Sequence, residues 1–114
     1  GELGSLIEEM RKEELSKELT KSSLETLSII IYKNGATRGE IDYIRGVNSS
    51  FILRNLLIRG LIEKTVDQKD SRRFIYKPTI ETLSFMGVTS IENMPNYEQV
   101  RNQLQEIINQ EQND

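Results

Sequence analysis

The sequence predicts an α+β fold that is mostly helical: three short helices and a two-stranded hairpin, with extra helices at both ends. Three observations carry that expectation. Between residues 22 and 60 the apolar side chains recur at helical spacing, in runs broken at Asn34-Gly35 and Gly46. After Gly60 the period changes, and "LIEKTV" and "RFIYK" alternate as half-buried strands do. At 114 residues, 36% hydrophobic and 29% charged, the chain fits one small core, and no apolar run approaches the length needed to span a bilayer.

Residues 3–19 place Leu3, Ile7, Met10, Leu15 and Leu19 at roughly helical spacing, with charges filling the gaps. A lone helix of that length is marginal in water, so it is expected to dock on the main domain, on another copy, or on a domain outside this chain. In "TKSSLETLSIIIYKNGA", Ser22 or Ser23 is the expected cap, Glu25 stands at capping-box spacing from Ser22, and Leu24, Leu27, Ile30 and Ile31 form the buried stripe. A strand-like step follows, then Thr37 with Glu40 three residues on opens a helix that buries Ile41 and Ile44 and stops at Gly46. Asn48 or Ser49 caps the third helix, which turns Phe51 or Ile52 inward with Leu53, Leu56 and Leu57 and ends at Gly60. The hairpin then runs to Pro78 across the polar loop "DQKDSR". Three helices followed by such a hairpin is the winged-helix arrangement. Thr79 caps a further helix with Leu83, Phe85 and Met86 against the body and Gly87 as its stop. A final amphipathic helix carries Tyr97, Val100, Leu104, Ile107 and Ile108, and "NQEQND" is expected to fray. The expected organisation is a connecting helix over 1–20, the winged-helix domain over 21–95, and a terminal helix with its tail over 96–114.

The chain has no Cys and no His, which removes disulfides, thiolate chemistry, and the commonest general base and metal ligand. It also lacks a Gly-rich phosphate loop. These absences argue against an enzyme, and no cofactor is expected. The carboxylate pairs Glu8-Glu9 and Glu13-Glu14 read as solvated helix faces. The net charge of −3 is unevenly placed: residues 38–77 hold nine basic against five acidic groups, while residues 1–20 and 78–114 are acidic. The middle could face a polyanion, and the ends would repel one.

The stretch "SLETLSIIIYKNGATRGEIDYIRGVNSSFILRNLLIRGLIEK" resembles the C-terminal winged-helix domain of the segregation and condensation protein B (ScpB) family. The blocks "LETL", "IIIYK", "TRGEI", "IRGVNS", "LRNLL" and "RGLI" stand in the family's order and spacing, and the likeness extends over roughly residues 22–100. Where the family's wing carries Gly and Pro, "VDQKDSRRFIY" keeps Lys69-Asp70 and Arg73 but neither of those, so a shorter or differently bent wing is expected. The resemblance implies a non-catalytic subunit of the bacterial SMC condensin complex that binds the kleisin ScpA, and through it SMC, in chromosome condensation and segregation. It also implies a homodimer in the full-length protein, formed largely through an N-terminal domain outside this chain. The implied location is cytoplasmic and nucleoid-associated; from the charge placement DNA contact is expected to be weak or absent, and from the lack of a long apolar run no membrane contact is expected.

Two candidate sets follow. Arg38, Tyr43, Arg45, Asn48 and Tyr97 are the partner-binding set. Arg45 either meets a partner carboxylate or belongs to a turn whose residue types are fixed by Gly46 and the cap at Asn48 or Ser49. Tyr43 and Tyr97 are either exposed aromatic anchors or rim positions on the core. The alternative is a winged-helix transcription regulator, with Ser49, Arg54, Arg59, Lys69, Arg72 and Arg73 on DNA and Asp67 and Asp70 diluting the field. The apolar stripes of the terminal helices fit a partner groove and intramolecular docking equally.

Overall fold

A computed structural model of the chain describes residues 19–113. Helix α1 spans Lys21–Lys33, α2 Arg38–Arg45 and α3 Ser50–Ile58; strands β1 (Ile62–Val66) and β2 (Phe74–Pro78) form the hairpin; α4 (Ile80–Phe85), a 3-10 turn (Ile91–Asn93) and α5 (Tyr97–Asn113) complete the chain. The expected helix over 3–19, with Glu8-Glu9 and Glu13-Glu14, lies outside the described residues except for Leu19, which packs half-buried against the core.

Helix α1 begins two or three residues earlier than expected. Thr20, not Ser22 or Ser23, is the cap: its backbone is extended and its hydroxyl accepts the Ser23 N–H at 3.1 Å. The stripe shifts as well. Leu24 is 43% exposed, whereas Thr26 is fully buried because its hydroxyl donates back to the Ser22 carbonyl at 2.8 Å. Leu27, Ile30 and Ile31 do form the buried face, joined by Ile29.

Helix α2 carries the expected capping box between Thr37 and Glu40 and ends at Gly46, whose φ of 74° is open to glycine and strained for other residues. Its inward face holds Ile41, fully buried, and Ile44, half-buried. In α3 the alternative at the first turn resolves toward Ile52, which packs on the core, while Phe51 is 76% exposed. Leu53 and Leu56 are buried and Leu57 half-buried beneath them.

The hairpin is antiparallel, in register from Ile62 opposite Pro78 to Val66 opposite Phe74. The strand-like step at Ala36 is a single bridge: Ala36 and Tyr76 exchange both backbone hydrogen bonds, at 3.1 and 2.8 Å. That bridge ties the wing to the α1–α2 connection. The expected strand alternation holds only at the hairpin root. Ile62 and Tyr76 are buried, but the rest of β1 and the tip of β2 are exposed because nothing among the described residues covers them.

Thr79 caps α4 as expected and also donates to the Gly60 carbonyl at 2.8 Å; the buried Thr82 hydroxyl donates to the Leu61 carbonyl at 2.6 Å. Together they fasten α4 to the end of α3, with Leu83 and Met86 on the core and Phe85 half-buried. Helix α5 folds back on the body, with Ile108 buried and Leu104 and Ile107 half-buried. It continues to Asn113, through most of the stretch expected to fray.

A candidate partner interface on the third helix and the wing

The α2–α3 turn is built from its polar side chains. Ser49 is the residue before α3, but its side chain makes no capping bond. It is fully buried: its N–H donates to the Asp42 carboxylate at 2.8 Å and its hydroxyl accepts from Arg45 Nη1 at 2.8 Å. The Arg45 side chain, 6% exposed, also donates from Nε to Glu25 on α1 at 3.2 Å. Asn48 supplies the local turn, its side-chain oxygen accepting the Ser50 N–H at 2.9 Å. Ser49 therefore does not present its hydroxyl to a nucleic acid, and Arg45 is committed inside the domain. Asn48 stays exposed and Tyr43 half-buried.

The wing shows how the hairpin turns without Gly or Pro. Asp67 accepts the Lys69 N–H at 2.9 Å and Asp70 accepts the Arg72 N–H at 3.1 Å, two Asx turns in succession. The same carboxylates hold the wing's cations. Arg73 meets Asp67 at 2.9 Å, and Arg72 forms a two-pronged contact with Asp70 at 3.0 and 3.2 Å. The Arg72 guanidinium keeps the Asp70 carboxyl below the usual aspartate range, and Asp70 in turn raises Arg72. Lys69 is exposed at the tip.

The outward face of α3 combines apolar and basic groups. Phe51 and Ile58, 76% and 75% exposed, stand seven residues apart with Arg54 and Asn55 between them on the same face. Val47 in the preceding turn is exposed as well. Beside this strip lies a cleft of about 190 Å³ whose lining carries three cations, Arg38, Arg54 and Lys64, and no carboxylate. Arg38 also approaches Asp42 at 3.7 Å, and Lys64 sits 4.5 Å from the centre of the Phe74 ring. Arg59 lies half-buried at the α3 C-terminus. A wider cleft between the wing and α5, about 630 Å³, has both signs of charge: Glu40, Asp67 and Glu111 against Lys69 and Arg73.

Tyr97 sits apart from the rest of its set. Its ring stacks on Tyr32 with centroids 6.3 Å apart, and its hydroxyl accepts from Arg101 at 3.1 Å. Arg101 also donates to the Lys33 carbonyl at 2.6 Å, closing the C-terminus of α1, while the buried Lys33 ammonium reaches Gln105 at 3.0 Å and Glu40 at 3.9 Å. Of the two readings for the last helix, the intramolecular one is what the structure shows, and Tyr97 is a rim residue in that dock.

The structure thus brings Arg38 and Arg54 together at one cleft. It places Lys69, Arg72 and Arg73 on the wing, holds Arg45 and Ser49 inside, and puts Tyr97 on the α1–α5 seam. Sequence reasoning missed Ile58, Lys64, Lys33 and Arg101. A helical projection of residues 50–58 already sets positions 51 and 58 opposite the apolar face at 52, 53 and 56 and so held the first signal; the pairings of Lys33 and Arg101 span about seventy residues and left none.

Among the described residues no helix is long and apolar enough to cross a membrane, and no cluster of three or more potential ligands could hold a metal ion. The fold and this surface define a winged-helix domain with an appended C-terminal helix. The sequence model of the segregation and condensation complex subunit ScpB matches residues 1–97, and the chain belongs to that family. That match includes the first twenty residues, which the motif resemblance did not reach.

The segregation and condensation protein B of Clostridium tetani is 39% identical over 101 residues, covering 88% of this chain and 53% of the relative; that of Carboxydothermus hydrogenoformans is 42% identical over 82 residues, covering 70% and 44%. The chain spans about half the length of the curated relatives it matches. The crystal structure of ScpB from Mycobacterium tuberculosis superposes with a TM-score of 0.61 at 29% identity, over 78% of this chain and 56% of that one. The S. aureus MepR–DNA complex superposes with a TM-score of 0.57 at 24% identity, over 96% of this chain and 98% of that one, a likeness of fold.

Proposed function

We propose that the chain is the kleisin-binding part of a non-catalytic ScpB-type subunit, which engages ScpA and through it the SMC complex in chromosome condensation and segregation. In this reading residues 1–20 connect it to an N-terminal domain that carries dimerisation, and the complex works on the nucleoid in the cytoplasm. Family membership supplies the setting.

The observation that carries the choice between protein and DNA as partner is where the cations go. A polyanion reader needs arginines and lysines directed at phosphates. Here Arg72 and Arg73 are held by Asp70 and Asp67, and Arg45 by Glu25 and Ser49. Those pairs engage the two wing arginines and Arg45 inside the domain, and leave Arg38, Arg54 and Lys64 as the cations lining the α3 cleft. The test is capture of the central region of ScpA by this chain at micromolar concentration, alongside a band shift on duplex DNA. Capture without a salt-sensitive shift supports the proposal; absence of capture at that concentration refutes it.

A further inference from the structure

We infer that the occupant of the outward face of α3 is an amphipathic segment of the kleisin whose apolar side chains are flanked by carboxylates. The inference rests on the kleisin-binding reading and adds the place and the chemistry of the contact.

Phe51 and Ile58 are 76% and 75% exposed and lie about 10 Å apart along one helix face, at 1.5 Å per residue. Val47, in the turn before the helix, is exposed as well. Removing an exposed Phe and Ile from water is enough to anchor a segment that lays two or three apolar residues along the helix. A DNA groove offers such side chains little beyond thymine methyl groups, so the strip fits protein. Arg54 sits between the two apolar residues and also lines the adjoining cleft with Arg38 and Lys64, where no carboxylate is present. An incoming segment that carries apolar residues alone would leave that cleft unmatched, and one carrying Lys or Arg would be repelled. Carboxylates beside the apolar anchors complete the match, and the outward guanidinium of Arg54 is placed to take one in a two-pronged contact.

The experiment measures the dissociation constant of the intact chain for the central region of ScpA by calorimetry, with Phe51→Ser, Ile58→Ser, Arg54→Glu and, as a control on α4, Ile80→Ser. Because these side chains are exposed, urea midpoints should stay at the wild-type value, and the check is made on each variant. At least a tenfold weakening is expected for Phe51→Ser, Ile58→Ser and Arg54→Glu and none for Ile80→Ser. Replacing the flanking carboxylates of the bound segment by Lys should weaken wild-type binding and restore it with Arg54→Glu. If ScpA binds the three variants as it binds wild type, the α3 site is refuted while the kleisin reading stands. Absence of binding to wild type refutes the kleisin reading, and this occupant with it. Self-association of the wild-type chain that is lost in Phe51→Ser would assign the strip to a second copy and overturn the proposal.

Discussion

Replacing Arg45 by Ala separates the two roles that the sequence allowed for the "IRGVNS" block. In the structure the guanidinium bridges α1 to the α2–α3 turn, donating to Glu25 and to the hydroxyl of the fully buried Ser49. Glu25 is half exposed, so that ion pair is worth less than about 1 kcal/mol. The charge-assisted bond to Ser49 is screened far less and is worth roughly 1.5–3 kcal/mol. The loss on truncation should therefore be about 2–3 kcal/mol, most of it from Ser49. For a chain of this size that is a fall of roughly 10 °C in Tm, read by thermal and urea unfolding.

Glu25→Ala should cost less than about 1 kcal/mol, and an Arg45/Ser49 double-mutant cycle should return a coupling of roughly 1.5–3 kcal/mol. If Arg45→Ala unfolds within 0.5 kcal/mol of wild type yet no longer captures ScpA, the residue is set by a partner and the account of the turn fails.

Three further outcomes follow from the same geometry. Gly46→Ala forces a Cβ into φ 74° with open space around it, so the cost is backbone strain alone, roughly 1–2 kcal/mol by urea unfolding, with no repacking in the spectra. Arg101→Leu removes the donor that closes the C-terminus of α1; amide exchange should accelerate in α5 and the last turn of α1, while the α2–α3 amides keep their protection. Asp70 should titrate below the usual aspartate range by carboxyl NMR, because Arg72 stabilises its charged form. A depressed folded pKa adds stability that is present above the unfolded value of about 4 and lost as pH falls through the folded one, so the wing tip should loosen only in acid. Arg72→Ala should bring that titration back toward the usual range.

What the sequence disclosed was local in cause. Thr37 with Glu40, Gly46, Thr79 and the change of period after Gly60 each act within a few residues, and each appears where the pattern placed it. The start of α1 differs from the expected one because several hydroxyl residues stand close together there, and the one that caps is Thr20, whose hydroxyl accepts the Ser23 N–H. Burial of Ser49 was invisible because it depends on Arg45 and Asp42 converging from the preceding helix. For the candidate interface, Arg54 and the wing cations were legible as charges, but their pairing partners were read as dilution of a field. The structure shows those carboxylates as turn-formers and clamps at once.

That double role gives the wing a testable route back toward nucleic acid. Asn forms the same Asx turn through its side-chain oxygen but cannot hold an arginine by charge. Asp67→Asn with Asp70→Asn should therefore keep the turns at Lys69 and Arg72 while releasing both guanidinium groups, and it moves the net charge from −3 to −1. The freed pair would stand at the hairpin tip with Lys69, on the element that winged-helix DNA readers lay against the phosphate backbone. Retention on heparin or duplex DNA should then appear at low salt and vanish as ionic strength rises, with ScpA affinity unchanged if the kleisin is held at α3. If the double variant folds with its hairpin intact and gains no salt-sensitive retention, internal pairing is not what keeps the wing from polyanions. The choice between protein and DNA would then have to rest on the apolar face of α3 alone.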